Sequence, residues 1–210
     1  MKFLPTTKEE MKSLGWDSID VLLISGDTYL DTSYNGSALV GKWLVEHGFK
    51  VGIIAQPEVD VPDDITRLGE PNLFFAISGG CVDSMVANYT ATKKRRQQDD
   101  FTPGGENNKR PDRAVLVYSN MIRRFFKGTT KKIVISGIES SLRRITHYDY
   151  WTNKLRKPIL FDAKADILSY GMGEMSMLQL ANALKNGEDW KNIRGLCYLS
   201  KEPKKDYLSL

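Results

Sequence analysis

The chain has 210 residues, of which 41% are hydrophobic and 27% charged, a composition typical of a globular protein. Its formal net charge of +4 is too small to indicate a nucleic-acid partner by itself. Cys81 and Cys197 are too far apart in sequence for a disulfide framework, and no apolar run reaches the ~20 residues that span a bilayer. The charged amino terminus has no apolar core of the signal-peptide kind, so we predict a cytoplasmic protein without membrane segments.

The stretch from residue 20 to residue 57 alternates between strand-like and helix-like patterns. Residues 21–24 and 51–55 are unbroken apolar runs, which are typical of strands buried on both faces. Between them, apolar residues from Ala38 to Val45 recur at helical spacing, and Gly48 is placed to end the helix. This pattern predicts a βαβ unit with parallel strands. Ligands of such sheets bind beyond the carboxyl ends of the strands, which places residues 26–35 at the rim of a binding site.

The rest of the chain continues this alternation. Thr7 is placed to cap a first helix, with Glu9 and Glu10 near its positive end. Strands are predicted at residues 73–78, 132–136, 159–161, 166–170 and 196–199, and helices at 63–68, 114–127 and 175–184. The order predicts a three-layer α/β domain with a mostly parallel sheet of about five core strands. We assign this domain to residues 20–200, after an amino-terminal extension of residues 1–19.

Residues 36–42, with the sequence GSALVGK, come close to the phosphate-binding P-loop pattern. The first glycine, however, lies about ten residues beyond the strand that should precede it directly. Trp43 also stands where the motif has the Ser or Thr that holds magnesium. We therefore favour a structural interpretation, in which Gly36 opens a helix and Gly41 lets that helix lie close to the sheet.

Small residues follow the third predicted strand, where Ser78 is succeeded by Gly79 and Gly80. Bare backbone at such a place lets a ligand approach main-chain donors, although a simple tight turn explains the glycines equally well. Cys81 comes next, and a lone thiol near a rim is either reactive or, more commonly, buried and inert.

The most polar predicted rim loop follows the fourth strand. It begins with Ser136 and Gly137 and contains Glu139, which would orient a hydroxyl or an amine. Arg143 and Arg144 would then grip a carboxylate or a phosphate through paired hydrogen bonds. The favoured structural alternative is a helix start with solvated arginines, capped by Ser140 or Ser141.

Residues 93–113 differ from the rest of the chain because they contain one aromatic and no aliphatic residue. Such a segment cannot bury enough apolar surface to order itself. Its basic start, residues 93–96, lies near Tyr89 and Phe101, which would suit a nucleic-acid surface. Charge runs are more often simply solvated, and this one is diluted by Asp99, Asp100 and Glu106.

Residues 147–151, with the sequence HYDYW, combine polar tips with aromatic faces. This mixture suits stacking on a planar ligand, docking on a partner, or packing against the domain's own sheet. His47 and His147 are the only histidines in the sequence, and neither stands at ligand spacing from a cysteine. We therefore predict no metal site.

Four long strings in the sequence are distinctive: FLPTTKEEMKSLGWDSIDVLLISGDTYLD, YTATKKRRQQDDFTPGGENNKRPDRAVLVYSNMIRR, GIESSLRRITHYDYW and DAKADILSYGMGE. Together they resemble the amino-terminal region of YgiQ-type radical SAM proteins. The resemblance extends from Phe3 to about Tyr198 and is carried by long strings rather than one short motif.

The resemblance implies a Rossmann-like domain, of the flavodoxin or cobalamin-binding type, that precedes a radical SAM barrel. In that family a CxxxCxxC motif of the barrel holds a [4Fe–4S] cluster, which binds S-adenosylmethionine and generates a 5′-deoxyadenosyl radical. This chain has two distant cysteines, so we expect it to hold no cluster and to be inactive alone. The cobalamin signature DxHxxG is also absent, since residues 27–31 contain no histidine. This argues against a histidine-ligated cobalamin and leaves open a corrinoid held by contacts alone.

The role implied for this chain is that of an accessory domain that caps the barrel and contributes a binding face for an unknown substrate. Residues 201–210 would be a truncated connector toward the barrel, and residues 93–113 would be ordered against the barrel or its substrate. The residues expected on the binding face are Asp27, Tyr29, Asp31, Ser78, Gly79, Gly80, Ser136, Gly137, Glu139, Arg143, Arg144, Tyr170 and Gly171. Those expected to contact the partner are Lys93, Lys94, Arg95, Arg96, Arg110, Arg113, His147, Tyr150 and Trp151.

Two alternatives remain at this stage. The chain is either a stand-alone domain that binds a nucleotide or a corrinoid, or an RNA-binding module that uses residues 93–113. The sequence does not identify the substrate or the reaction, because one fold serves many functions.

Overall fold

A computed structural model describes residues 3–29 and 36–201 of the chain. The strands of its main sheet are β1 (Val21–Ser25), β2 (Val51–Ala55), β3 (Phe74–Ser78), β4 (Lys132–Ser136), β7 (Ile167–Ser169) and β8 (Leu196–Tyr198). A separate two-stranded hairpin contains β5 (His147–Asp149) and β6 (Lys154–Arg156). The helices are α1 (Lys8–Ser13), α2 (Gly36–Glu46), α3 (Pro62–Thr66), α4 (Ser84–Asn88), α5 (Ala114–Phe125), α6 (Gly137–Leu142), α7 (Ile159–Ala163) and α8 (Glu174–Asn186).

The main sheet has the strand order β2-β1-β3-β4-β7-β8. The first five strands are parallel, and β8 runs antiparallel to β7 at the edge. This is the strand order of flavodoxin-like folds with one strand added at the edge. β2 and β3 lie on opposite sides of β1, so the strand order reverses there and the topological switch point lies between β1 and β3.

Helices cover both faces of this sheet, because successive side chains of each strand point to opposite faces. Leu22 and Ile24 of β1 pack on one face with residues of α1, α3, α5 and α7. Val21 and Leu23 pack on the other face with residues of α2 and α8. The predicted three-layer α/β fold with a mostly parallel sheet is therefore confirmed. The strands read as continuous apolar runs because they are buried on both sides.

Two local predictions about helix ends agree with the structure. Thr7 caps α1 in a capping box that it forms with Glu10. A Cβ at Gly41 would lie 2.4 Å from Leu4 Cδ1 and 2.8 Å from Leu23 Cδ1, so a larger residue at this position of α2 would force both leucine side chains to shift. This supports the structural interpretation of the GSALVGK stretch, because α2 begins at Gly36, eleven residues after the end of β1 at Ser25.

The segment at residues 159–161 is helical, so the predicted edge strand there is wrong. Pro158 precedes α7, whose buried residues Ile159, Leu160 and Ala163 recur at helical spacing. The Ser119 hydroxyl of α5 donates to the Ala163 carbonyl oxygen over 2.6 Å, which holds α7 against α5. A short apolar run does not by itself distinguish a strand from a single buried helical turn.

No helix in residues 3–29 and 36–201 is long and apolar enough to cross a bilayer. Asp31, which we expected on the binding face, lies outside the described residues. The same is true of the predicted connector, apart from its first residue, Lys201.

Candidate functional site

A cavity of about 340 Å³ opens at the carboxyl edge of the sheet. This volume falls in the ~300–1,000 Å³ range of small-molecule sites. The cavity lies beside the switch point, because residues of β1 and β3 and the loops after them line it. Six of the residues expected on the binding face line it: Asp27, Ser78, Gly80, Ser136, Gly137 and Gly171.

Three serines form part of the cavity lining. Ser25, Ser78 and Ser136 end three neighbouring parallel strands and stand in register across the sheet. Their hydroxyls bond locally: Ser25 Oγ accepts from the Asp27 amide at 3.1 Å, and Ser136 Oγ donates to the Ile77 carbonyl oxygen at 3.3 Å. The repeat that builds this row is visible in the sequence, where Ile-Ser-Gly occurs at residues 24–26, 77–79 and 135–137.

The loops after β1 and β3 approach each other so closely that they require glycine. A Cβ at Gly26 would lie 2.1 Å from the Gly79 carbonyl oxygen. A Cβ at Gly79 would lie 2.4 Å from Glu139 Oε2, and one at Gly80 would lie 2.2 Å from Asp27 Oδ1. The glycines therefore bring backbone and carboxylates together beside the cavity, and they do more than form a tight turn.

Arg110 lies at the centre of this arrangement and is 1% exposed. Its Nη1 donates to Asp27 Oδ1 at 2.6 Å and to the Gly79 carbonyl oxygen at 2.9 Å, and its Nη2 lies 3.3 Å from both Asp99 oxygens. Burial lowers the pKa of Arg110, but the charges of Asp27 and Asp99 outweigh it, so this pKa is raised and the guanidinium remains cationic. Arg110 therefore clamps residues 93–113 onto the switch-point loops and is too buried to contact a partner.

Further polar contacts hold the same segment. The Gln56 side-chain amide donates to Thr102 Oγ1 at 2.7 Å, and the Thr28 amide donates to the Phe101 carbonyl oxygen at 2.9 Å. Asn107 is buried and donates to the Asn88 carbonyl oxygen at 3.2 Å. The expectation that residues 93–113 cannot order themselves is corrected: hydrogen bonds and ion pairs to the rest of the domain replace the missing apolar burial.

Glu139, expected on the binding face, lies beneath it and is 2% exposed. Its Oε2 accepts from the Ser84 amide at 3.1 Å, and its Oε1 accepts from the Val115 amide at 3.3 Å. These two amides belong to the first turns of α4 and α5, so one carboxylate satisfies donors at both helix starts. Burial, followed by the charge of Asp83, raises the pKa of Glu139.

Other expected site residues also lie outside the cavity lining. The Arg143 guanidinium pairs with the carboxylate of Asp83, so Arg143 is not simply solvated. Arg144 lies 5.3 Å from the centre of the Tyr170 ring, and both residues are exposed near the cavity mouth. Tyr29 is buried, and its hydroxyl accepts from the Leu4 amide at 2.7 Å.

The loop after β4 also differs from its predicted start. Helix α6 begins at Gly137, directly after the strand, so Ser140 and Ser141 lie within the helix and do not cap it. The positive φ of 80° at Gly137 allows this abrupt change from strand to helix.

The residues present do not fit an iron–sulfur cluster. No group of three or more His, Cys, Asp or Glu side chains is placed to hold a metal ion in the part of the chain that the structure describes. Burial, followed by the nearby charge of Asp27, raises the pKa of the Cys81 thiol to about 12. A thiol with this pKa is protonated and unreactive at neutral pH. The sequence has one other cysteine, Cys197, whereas a CxxxCxxC motif supplies three.

Sequence reasoning missed Ser25, Gln56 and Asp99 as parts of this site. The Ile-Ser-Gly repeat is a signal that would have identified Ser25. Gln56 and Asp99 carry no comparable signal, because their contacts join segments that are distant along the chain.

The fold and the cavity at its switch point define an α/β domain of the flavodoxin-like order with a cavity at the carboxyl edge of its sheet. The sequence matches the radical SAM N-terminal family over residues 3–210, and the chain belongs to that family. The resemblance found in the sequence is confirmed.

Curated relatives of this chain include several UPF0313 proteins. The chain is 97% identical to one from Fusobacterium nucleatum over all of its own length and 37% of the relative. It is 54% identical to one from Thermotoga neapolitana, over 99% of the chain and 37% of that relative. A relative from Methanocaldococcus jannaschii is 54% identical, over 91% of the chain and 31% of the relative. The chain therefore spans about a third of these proteins, at the amino-terminal end that its family describes.

Among solved structures, the chain is similar to TsrM, a radical S-adenosylmethionine methyltransferase from Kitasatospora setae. The match to TsrM with cobalamin and a [4Fe–4S] cluster bound has a TM-score of 0.57 at 16% identity. It covers 88% of this chain and 28% of TsrM. A second TsrM structure, with tryptophan substrate and an S-adenosylmethionine analogue, gives a TM-score of 0.56. At this identity the likeness concerns the fold.

Proposed function

We propose that this chain is the accessory domain of a radical SAM enzyme, and that its switch-point cavity is completed by the catalytic part that follows it. The family and the greater length of the relatives support this role. In the proposal, the radical chemistry takes place in the remaining two-thirds of the protein, and this domain covers it and contributes binding residues.

The observation that carries the proposal is an apolar surface around the cavity mouth. We define the mouth surface as Ile138, Leu142, Tyr170, Met172 and Met175, all exposed. Ile138 and Leu142 are one helical turn apart on α6, so they share a face. Ile138 and Met172 also line the cavity. Met172 is 88% exposed and belongs to a group of exposed apolar side chains, and contiguous groups of this kind mark interaction sites.

The residues of this chain also favour placing the cofactors in the catalytic part of the protein. This chain lacks residues for the cluster, so the cluster and the S-adenosylmethionine bound to it belong to the catalytic part. No histidine is among the residues that line the cavity. A histidine-ligated cobalamin therefore does not fit the described cavity.

The test is assembly of this chain with the remaining two-thirds of the Fusobacterium nucleatum relative, expressed separately. We expect a complex measurable by size-exclusion chromatography and titration calorimetry. Met172→Asp should weaken it at least tenfold, or ~1.4 kcal/mol, because the interface would bury an unpaired charge. Leu14→Asp is the matched control, since Leu14 is an exposed leucine at the end of α1 and lies outside the mouth surface.

The proposal is contradicted if the two parts do not assemble while both are folded. It is equally contradicted if Met172→Asp and Leu14→Asp bind the catalytic part as tightly as the unchanged chain. Hydrogen exchange on the complex adds an independent readout, because protection should appear at α6 and at the start of α8.

A second candidate, a domain that binds a nucleotide or a corrinoid by itself, is favoured by the cavity and its three serines. If it is correct, the isolated chain should be stabilised by ~2.7 kcal/mol when the ligand is present at 100 times its dissociation constant. A thermal-shift series with ATP, GTP and hydroxocobalamin measures this, with Ser37→Leu, at a helical residue that lines the cavity, as the variant that narrows it. Unchanged melting with all three compounds would rule this candidate out for them.

A further inference from the structure

Two segments far apart in sequence meet at a second surface, separate from the cavity lining. We call residues 93–113 the polar segment. Its first residue and the residues just before it pack against the β5–β6 hairpin. The rings of Tyr89 and Trp151 lie 5.0 Å apart, and the Tyr150 hydroxyl donates to the Ala91 carbonyl oxygen at 2.8 Å. Lys93 Nζ lies 4.6 Å from the centre of the Tyr150 ring. These contacts fix the hairpin relative to the polar segment, and we call the combined surface the hairpin face.

The base of the hairpin face is held by a shielded ion pair. Arg113 donates to Asp149 Oδ2 at 2.8 Å, and the Asp149 side chain is 2% exposed. This pairing matters because a two-stranded hairpin with three residues in each strand is marginal by itself. Asp149 is the one acidic residue of β5 and β6, so this burial leaves the outer surface of the two strands without a carboxylate.

The outward side of the hairpin is apolar and aromatic. Tyr148 and Leu155 are cross-strand partners and are 58% and 77% exposed. Tyr150, beyond the end of β5, is 50% exposed. Aromatic rings held at the surface by a hairpin present flat faces to solvent at little cost in conformational entropy, because the backbone beneath them is fixed.

Exposed basic side chains lie on the same two segments as these rings. The polar segment contributes Lys93, Lys94, Arg95 and Arg96, and Lys154 of β6 and Lys157 just beyond it are also exposed. Lys93 lies over the Tyr150 ring, and Arg95 lies 3.6 Å from Asp112. The surface therefore combines exposed lysines with exposed aromatic rings.

We propose that the hairpin face binds single-stranded nucleic acid. Basic side chains neutralise phosphates without regard to sequence, and exposed rings stack on bases. Bases inside a duplex are already stacked on their neighbours, so exposed rings such as these can stack only on unpaired bases. This proposal goes beyond the accessory role and does not depend on it, because the face lies outside the mouth surface.

An acidic protein surface is the competing kind of partner. It would satisfy the lysines and arginines equally well, but it would not need the exposed rings of Tyr148 and Tyr150. The difference between the two partners is therefore the contribution of the rings, which the test isolates.

The test uses the 210-residue chain and fluorescently labelled single-stranded RNA and DNA of ~16 nucleotides, followed by anisotropy. We expect binding at ~50 mM salt that weakens steeply by ~200 mM salt, with a slope near −3 in the logarithmic plot for ~4 phosphate contacts. Tyr148→Ala should weaken binding about tenfold, because one stacking contact is lost. The paired change Lys94→Ala and Lys154→Ala should weaken binding and reduce the salt slope by about 1.4.

The matched control is Lys8→Ala with Lys12→Ala, two exposed lysines of α1 outside the hairpin face. This variant should bind as the unchanged chain does, and circular dichroism confirms that all variants fold. No binding at ~50 mM salt would overturn the proposal. Equal binding by Tyr148→Ala, or complete competition by inorganic polyphosphate at equal phosphate concentration, would also overturn it and indicate a general polyanion or acidic-protein surface.

Discussion

Replacement of Arg110 by methionine is expected to destabilise the domain by about 3–5 kcal/mol, because it leaves the buried carboxylates of Asp27 and Asp99 without their cation. Arg110 is 1% exposed, and methionine occupies its space without supplying its hydrogen bonds. The loss is measured by urea unfolding of the unchanged chain and the variant. Destabilisation of this size exceeds that of most single substitutions.

The same variant should release residues 93–113 from the switch-point loops. The measurement is limited proteolysis with trypsin, which should cut near residues 93–96 faster in Arg110→Met than in the unchanged chain. Arg124→Met is the matched control, because Arg124 pairs with Asp60 where both side chains are more than half exposed. Its cost should stay within ~1 kcal/mol, as for exposed ion pairs generally.

The variant Asp99→Asn keeps the experiment decisive if Arg110→Met does not fold. It leaves Arg110 paired with Asp27 and still removes one charge from the cluster. Faster cleavage near residues 93–96 in this milder variant would support the clamp. Unchanged stability and unchanged cleavage in both variants would show that Arg110 does not hold the segment.

The fold was predictable from the sequence because its strands are buried on both faces. Residues 21–24 and 51–55 read as continuous apolar runs rich in β-branched residues on either side of a helix, which is typical of sheets covered on two sides. The helix of residues 159–163 was not predictable in the same way, because a run of three apolar residues has no period long enough to measure.

The cavity residues were partly predictable, and the residues that support them were not. Parallel strands bring their carboxyl ends to one edge, so Ser78 and Ser136 follow from the strand assignments alone. Arg110 and Asp27 are 83 positions apart in sequence, and no local sequence pattern predicts a contact between residues so distant. Arg110 lies in a charged, polar stretch of sequence, which predicts that its side chain is exposed. In the structure the side chain is buried, because the carboxylates of Asp27 and Asp99 compensate its charge.

Glu139→Gln is expected to destabilise the domain by about 1–3 kcal/mol at acidic pH. At acidic pH the protonated carboxyl still has two oxygens that can accept from the Ser84 and Val115 amides, whereas a glutamine amide has one oxygen to accept with and presents N–H groups to the second donor. One buried backbone amide is therefore left without a partner. Glu46→Gln, an exposed change on α2, is the control and should stay within ~0.5 kcal/mol.

The pH dependence of this loss has a definite sign. Burial raises the pKa of Glu139 above its ordinary value of 4.5, so the folded state binds the proton more tightly than the unfolded state does. The stabilisation from that proton is fully present below pH 4.5 and is lost as the pH rises through the folded-state pKa. The difference in unfolding free energy between the unchanged chain and Glu139→Gln should therefore narrow as the pH rises from 4.5. A difference that widens over this range would mean that the two amides hold Glu139 ionised and outweigh its burial.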